Sequence, residues 1–464
     1  MTKRKKKRGL ARLDGVETGC SAEPPPPLGR QRTLSVVSAT VSEMSGLVDA
    51  LAAAGCRARM VERIRRLHPG LPGPVIAALG RVPRHQFAPG SPLEVAYNPF
   101  EVVQLLRDET GATVSSVSAP SIQAIMLDQL DVRPGMRVLE VGSGGYDAAL
   151  LSELVGPTGL VVTMDIDRRV TDRARTCLAA TGYDQVIVLD GDAAHGAPDH
   201  APFDRVLVTV GVYEVAGAWA DQLTVGGRIV APLELRAVTR SVVLTPGDGG
   251  VLQVSDPQTC GFVPMRGVLG ASGAPVRVEV DDEGSLVSAP LGHPGVDPDG
   301  LRAAVDAGPQ IVDTGVHLER IDETLESLDL LMDLALPESA FLGVTPQVRD
   351  AGEMFPGLWT AYRSVTAVGG SLAVLAGDGQ APVGQPCDLV VLAYGPHGSD
   401  LARDQAEIVQ AWDAAGRPHP LPGDLRVRWG PEAPSGSVPD EPRPGLLGRS
   451  TVLVRGATRL EADL

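Results

Sequence analysis

The stretch with the clearest chemical potential is Val138-Leu-Glu140-Val-Gly142-Ser143-Gly144-Gly145-Tyr-Asp147, an apolar run that breaks into glycines and leads into Ala148-Ala-Leu-Leu151. A buried strand that ends in a glycine turn and opens a helix is the start of a nucleotide-binding βαβ unit. Glycine lets backbone approach a ligand closely, and the free N–H groups at a helix start attract a carboxylate or phosphate. By itself such a turn is equally compatible with being only a turn. The next apolar run, Gly159-Leu-Val-Val-Thr-Met-Asp165, ends in an acid. That is where a ribose-binding carboxylate belongs, about 20 residues further on. A dinucleotide fingerprint requires glycine or alanine in its sixth position, which here is Asp147. A pyrophosphate fits poorly and an adenosyl ligand without phosphates fits better, which points to S-adenosyl-L-methionine.

Hydroxyls form a second candidate group. Ser115, Ser116 and Ser118 precede Ala119-Pro120 and a helical pattern of Ile122, Ile125, Met126 and Leu130. The commonplace role for hydroxyls ahead of a helix is N-capping. Around these residues, strand-like runs at 138–141, 160–164, 185–189, 204–209 and 227–231 alternate with helical patterns. That alternation predicts an α/β fold with a doubly wound, mostly parallel sheet.

At 464 residues the chain is long enough for two or three domains, each with its own core. A net charge of −16 disfavours a nucleic-acid surface. Residues 1–40 are basic, then proline-rich, then rich in Ser and Thr, and read as a disordered leader. No apolar segment follows the basic start, and no run of about 18 apolar residues could span a membrane. A cytoplasmic location without membrane contact is expected. The five cysteines are scattered without a C-x-x-C pair, and His195 and His200, the nearest histidines, lack helical ligand spacing, so neither a disulfide framework nor a metal is expected.

Several motifs in register resemble the protein L-isoaspartate O-methyltransferases. They are Arg81 to Pro89, Ser116-Val-Ser118-Ala-Pro120, Val138-Leu-Glu-Val-Gly-Ser-Gly144 and Gly182-Tyr-Asp184. Gly191-Asp192, Ala201-Pro-Phe-Asp204-Arg-Val-Leu-Val-Thr209, Gly226-Gly-Arg-Ile-Val-Ala-Pro232 and Phe262-Val-Pro-Met265 continue the series. The resemblance implies a class I (Rossmann-like) methyltransferase domain over residues 41–268, with a seven-stranded doubly wound sheet. Three features depart from that pattern: the glycine loop is contracted, Ser121 follows Pro120, and Val210-Gly-Val212-Tyr213 replaces small residues and a proline. The last two lie where the acceptor belongs.

What the resemblance implies for single residues is specific. Ser118 lies nearest the transfer, its hydroxyl donating to the acceptor carboxylate. Glu140, Gly142, Ser143 and Gly144 hold the methionine end of S-adenosyl-L-methionine, with Ser115 and Ser116 on the same wall. Asp165 accepts both ribose hydroxyls, because a carboxylate matches two adjacent O–H donors. Asp192 and Ala193 face adenine. Ser121, Gln123, Val212 and Tyr213 meet the substrate. The alternatives are a helix N-cap for Asp165 and a turn residue for Asp192. A carboxylate acceptor is already ionised at neutral pH, so positioning and desolvation suffice without a general base.

Residues 269–464 lie beyond the resemblance and read as a C-terminal α+β domain. Strands are expected at 276–280, 372–375, 389–393, 425–429 and 451–455, and helices at 318–334 and 400–412. The domain serves either oligomerisation or recognition of a peptide substrate. This layout resembles a narrower group, the peptide aspartate methyltransferases of lanthipeptide-type and FxLD-system biosynthesis. That group implies an aspartate in a ribosomally made, modified peptide as acceptor, converted through succinimide to isoaspartate. The alternatives are repair of isoaspartyl residues in damaged proteins, and a degenerate fold that binds without turnover. Oligomeric state is left open.

Overall fold

A computed structural model describes residues 30–463 except 110, 143, 248–249, 272–274, 291, 321–324, 359, 361, 380–384, 419–424, 430–449 and 456–457. The chain divides into two units, Met1–Ala52 and Ala53–Leu464. Helix α1 (Arg30–Leu67) runs unbroken through Gly55 and stops ahead of Pro69, whose ring disfavours helical backbone before it. Residues 1–29 of the expected leader lie outside the described residues. Residues 30–40 are helical rather than leader, since no proline interrupts them.

Short helices α2 (Gly73–Arg81), α3 (Arg84–Phe87) and α4 (Leu93–Ala96) lead to an antiparallel ribbon, β1 (Val103–Arg107) and β2 (Thr113–Val117). The serine run therefore lies largely on a strand. Ala119, not a hydroxyl, stands at the N-cap of α5 (Pro120–Leu130), where Pro120 supplies helical φ without needing an N–H partner.

The main sheet follows. Strands β3 (Arg137–Val141), β4 (Leu160–Asp165) and β5 (Ile187–Asp190) alternate with α6 (Tyr146–Val155) and α7 (Arg168–Thr181). Then come β6 (Phe203–Val208), α8 (Gly217–Asp221) and β7 (Leu223–Glu234), and finally β8 (Thr239–Pro246) and β9 (Val251–Thr259). Strands β5-β4-β3-β6-β7 are parallel, and β8 and β9 add antiparallel, giving the seven expected strands of the doubly wound α/β fold. The chain leaves β3 toward β4 on one side and returns as β6 on the other. The carboxyl end of β3 is thus a topological switch point, where open α/β sheets form their ligand crevice.

A second sheet of seven antiparallel strands comprises β10 (Val276–Glu279), β11 (Leu286–Ala289), β12 (Gln310–Leu318) and β13 (Ser339–Gly343). It is completed by β14 (Tyr362–Val368), β15 (Ser371–Gly377) and β16 (Cys387–Tyr394), in the order β10-β11-β13-β14-β15-β16-β12. Helices α9 (Pro298–Ala307) and α11 (Pro346–Ala351) cover one face, and α10 (Glu326–Ala335) and α12 (Gly398–Ala414) the other. The helix expected from Leu318 begins only at Glu326. Leu318 instead closes a strand whose Thr314, Val316 and Leu318 alternate inward, a period of two that its leucine spacing concealed.

The final strands, β17 (Leu425–Trp429), β18 (Ser450–Arg455) and β19 (Thr458–Asp463), do not join the second sheet. β17 pairs with β9 and extends the first sheet to ten strands. The second sheet is therefore an insertion between β9 and β17. One buried cluster contains both Ile229 and Leu244 of the first sheet and Leu328, Ile408 and Trp412 beside the second. A polar clamp adds to this continuity. Buried Asp333 of α10 accepts the backbone N–H groups of Arg236 and Ala237 at 2.9 and 2.6 Å, while the Arg236 guanidinium donates to the Asp333 and Leu334 carbonyls.

Candidate functional site

The glycine turn at the switch point is shaped by close approach. Gly142 has φ +97°, and a Cβ there would lie 2.7 Å from Thr209 Oγ1 and 3.0 Å from Val210 Cγ1. The Thr209 hydroxyl donates toward the Val141 and Gly142 carbonyls, both 2.9 Å away, and ties the end of β6 to the turn. Gly145, also left-handed at φ +84°, stands at the N-cap of α6. Gly144 meets the ribbon, since a Cβ there would lie 3.6 Å from the Ser116 carbonyl oxygen. Ser143 lies outside the described residues.

Beside this turn, Val141, Gly142, Asp165, Ile166 and Ala193 line a narrow open cleft, flanked by Val114 and by Pro264–Arg266. Asp165 accepts the Asp167 backbone N–H at 2.8 Å through Oδ1, and Oδ2 takes no hydrogen bond from the described residues. Burial raises its pKa, opposed by that N–H and by Arg266. The capping role falls to Asp167, which accepts the Arg169 N–H at the start of α7 and is held down at about 2 by its hydrogen bonds from Arg169.

Asp192 uses both oxygens on backbone: Ala194 N–H donates to Oδ1 at 2.9 Å and Val268 N–H to Oδ2 at 2.8 Å. It pins the loop after Met265 to the cleft floor. Ala193 is the member of that pair lining the cleft.

Glu140 is fully buried in β3, where the Thr163 hydroxyl donates to Oε2 and Oε1 has no partner among the described residues. Burial, with Asp147 and Asp165 nearby, raises its pKa well above the ordinary carboxylate range. Beneath the glycine turn runs a buried polar chain. The Arg84 guanidinium donates to Gln123 Oε1 at 2.9 Å, and the Gln123 amide donates to both oxygens of Asp147 at 3.0 and 2.9 Å. Arg84 also donates to the Ala96 carbonyl at 2.7 Å and lies 5.0 Å from the Tyr146 ring centroid.

Several of the residues expected at the site make internal contacts in the structure. Gln123 is a buried link between Arg84 and Asp147. Ser121 is buried, its hydroxyl donating to the Pro99 carbonyl at 2.8 Å. Val212 is core, its backbone paired with Pro232 and Glu234. Ser115 is buried and accepts from Arg173 at 3.4 Å. Ser118 is half-buried between β2 and α5, and its hydroxyl makes no hydrogen bond with the described residues.

Tyr213 lines a second cleft, with about 1080 Å³ of empty volume, on the far side of Pro264–Arg266. Its walls are the β7–β8 turn, from Glu234 to Thr239, and residues Ser288, Pro290 and Phe341 from the second sheet and the turn after β11. Sequence reasoning gave no role to Val114, Thr209 or Arg266. The V-P-M segment before Arg266 was visible as a motif, but no spacing linked it to Asp165.

Burial pushes both Asp147 and Asp333 up to about 6. Because an unfolded aspartate titrates near 4, the folded protein holds these protons through the interval and the unfolded chain does not. That stability is complete below the unfolded value and is lost as pH rises through 6. Denaturant titrations should therefore give a higher unfolding free energy at pH 5 than at pH 7, by roughly 1 kcal/mol per group. Asp147→Asn and Asp333→Asn should each flatten the difference, and a protein no more stable at pH 5 would refute it.

With this geometry in hand, comparisons with known proteins fall into one pattern. The sequence model of the family described as protein-L-isoaspartate(D-aspartate) O-methyltransferase matches residues 59–269. The protein-L-isoaspartate O-methyltransferase of Methanopyrus kandleri is 39% identical over 215 residues, 46% of this chain and 91% of that one. Protein-L-isoaspartate O-methyltransferase 2 of Archaeoglobus fulgidus is 36% identical over 215 residues, 46% of this chain and 94% of that one. A solved protein-L-isoaspartate O-methyltransferase structure is 21% identical and covers 80% of this chain and 95% of that chain, with a TM-score of 0.44.

Proposed function

The chain belongs to the protein-L-isoaspartate O-methyltransferase family, and from that premise we propose that its acceptor is the free carboxylate of an isoaspartyl residue in a protein. The chain is an S-adenosyl-L-methionine-dependent carboxyl O-methyltransferase with a class I fold. The observation that carries the site reading is the convergence of Gly142, Asp165 and Ala193 on one cleft, joined through Pro264–Arg266 to a larger one.

The residues fit the cofactor. Gly142 brings backbone without a side chain to the cleft lining, and Asp165 keeps a carboxylate oxygen without a partner among the described residues for ribose hydroxyls. Glu140 adds a buried, unpaired oxygen below the turn. When bound, S-adenosyl-L-methionine supplies a methyl group whose bond to sulfur breaks as the carboxylate oxygen attacks, the electron pair staying on sulfur. Ser118, with its hydroxyl uncommitted, is assigned to orient the acceptor carboxylate. The Pro264–Arg266 wall is assigned to separate the reactants' non-reacting parts and to limit water between them. The following backbone nitrogen then attacks the ester, methanol leaves and a succinimide closes. Water opens it to aspartate or isoaspartate.

A second reading, tailoring of an aspartate in a ribosomally made, lanthipeptide-like peptide, is favoured by one feature. The inserted sheet contributes Ser288 and Phe341 to the larger cleft, giving it a wall that the family-matched region 59–269 does not contain. Purified protein with S-adenosyl-L-methionine, offered a linear isoaspartyl peptide and a cyclised aspartyl peptide, distinguishes the two by mass spectrometry. A gain of one methylene on the isoaspartyl peptide supports repair. A gain, or loss of water after ring closure, on the cyclised peptide alone would transfer the assignment to tailoring.

A further inference from the structure

Pro264, Met265 and Arg266 form a wall common to both clefts. Met265 is buried in the core, so the charged and more exposed end of that wall is Arg266, whose side chain is 38% exposed. Its guanidinium stands 3.8 Å from Asp165 and 3.5 Å from Asp167. These are loose contacts, since a tight charge-assisted pair closes to roughly 2.8 Å. Asp167 is already served by Arg169, through a guanidinium contact at 2.7 Å and a backbone N–H at 3.0 Å. Arg266 therefore holds its present partners weakly.

The larger cleft has one other arginine among its described lining residues, Arg236, and its guanidinium is committed to the Asp333 and Leu334 carbonyls at the end of α10. Glu234 brings a negative charge to the same cleft and packs over Gly211. A carboxylate entering here would lie near both Glu234 and Arg266, and of the two Arg266 is the one that can donate to it. The planar guanidinium of Arg266, with its fork of donors, matches a carboxylate better than a point charge does.

We infer that Arg266 is a positioning residue shared by the two clefts: it rests against Asp165 and Asp167, and swings to the acceptor's carboxylate once ribose hydroxyls occupy Asp165. The inference rests on the cofactor and acceptor reading given above. Its consequence is thermodynamic. Two ribose hydroxyls call on both Asp165 oxygens, and Arg266 faces Oδ1, so occupation of the cofactor cleft frees the cation for the acceptor. By linkage, acceptor binding must tighten the cofactor cleft by the same factor. Nothing in this exchange consumes a proton or breaks a bond.

The test uses full-length protein, S-adenosyl-L-homocysteine and a linear isoaspartyl peptide, with isothermal titration calorimetry of each ligand alone and in the presence of the other. For the native protein, each ligand should tighten the other by about tenfold, within the usual range of coupling. In Arg266→Gln, S-adenosyl-L-homocysteine should bind alone at least as tightly as in the native protein, because the competitor for Asp165 is gone. Peptide affinity should fall about tenfold and the mutual tightening should vanish, as expected for loss of one charge-assisted pair. In turnover, KM for the peptide should rise while kcat changes less, and Arg266→Lys should recover part of the loss.

Arg266→Gln with native peptide affinity and native coupling would overturn the assignment. So would an Arg266→Gln protein, folded by circular dichroism, that loses S-adenosyl-L-homocysteine binding, since Arg266 would then support the cofactor rather than compete with it. A native protein that binds S-adenosyl-L-homocysteine, yet neither binds nor methylates the isoaspartyl or cyclised aspartyl peptide, would overturn the acceptor reading itself and this inference with it.

Discussion

Asp165→Ala is expected to weaken S-adenosyl-L-homocysteine binding by about two orders of magnitude or more. The figure follows from two hydrogen bonds to a charged group, each worth about 1.5–3 kcal/mol, and a tenfold change per 1.4 kcal/mol. The position is prepared for this loss. β4 ends at Asp165 in register with Asp190 of β5, and the carboxylate spends only one oxygen on the Asp167 N–H. Burial already raises its pKa, so the free protein carries some cost of keeping it ionised. Stability without ligand should therefore fall much less than affinity, through the single orphaned N–H of Asp167. Asp165→Asn, which keeps one acceptor oxygen, should lie between the native protein and alanine. Calorimetry decides it. An unchanged affinity in Asp165→Ala would move the ribose away from β4, and neither neighbouring acid is an obvious replacement. Asp167 is engaged by Arg169, and Asp190 by Thr171 and Arg175.

The cleft at the switch point was legible because its signals are local. A strand, a glycine turn and a helix start occupy one short stretch, and the acid of the next strand follows within one βαβ unit. The structure brings Gly142, Asp165 and Ala193 together accordingly. The acceptor side was not legible, because its geometry depends on which face of an element is buried. In α5, Ser121, Gln123 and Gln129 are all buried, although polar side chains are ordinarily exposed. Arg84 and Asp147 make Gln123 a link in a chain, and a distant carbonyl takes the Ser121 hydroxyl. Strand partnership is equally non-local. The alternation of Leu425–Trp429 announces a strand, but nothing in it says that the partner is β9 rather than the adjacent sheet. Arg266 escaped notice for the same reason, since its contacts with Asp165 and Asp167 exist only once β4 and the segment after β9 are folded side by side.

Replacing Arg84 should cost the protein more stability than any surface change in the same region. Arg84 is fully buried, and its guanidinium donates to the Ala96, Glu101 and Val117 carbonyls as well as to Gln123. Those bonds fasten α4, the segment ahead of β1, the end of β2 and α5 to one side chain. Through Gln123 they reach Asp147 in the first turn of α6, directly after the glycine turn. Arg84→Met conserves much of the apolar bulk but strands three carbonyls and leaves Asp147 without its cation. Breaking a buried pair from one side costs about 3–5 kcal/mol. Because Arg84 is among the influences holding Asp147 down, its loss should also drive the Asp147 pKa higher and move the pH at which stability falls upward. Arg84→Met combined with Asp147→Asn should therefore be less damaging than the sum of the two changes, since the second removes the charge that the first exposes. Urea titrations of the four proteins at pH 7 measure that coupling. Strict additivity would mean that Arg84 acts only through its carbonyl partners. A sub-additive result would show that the glycine turn is underpinned by a charge network that the cofactor motif itself does not contain.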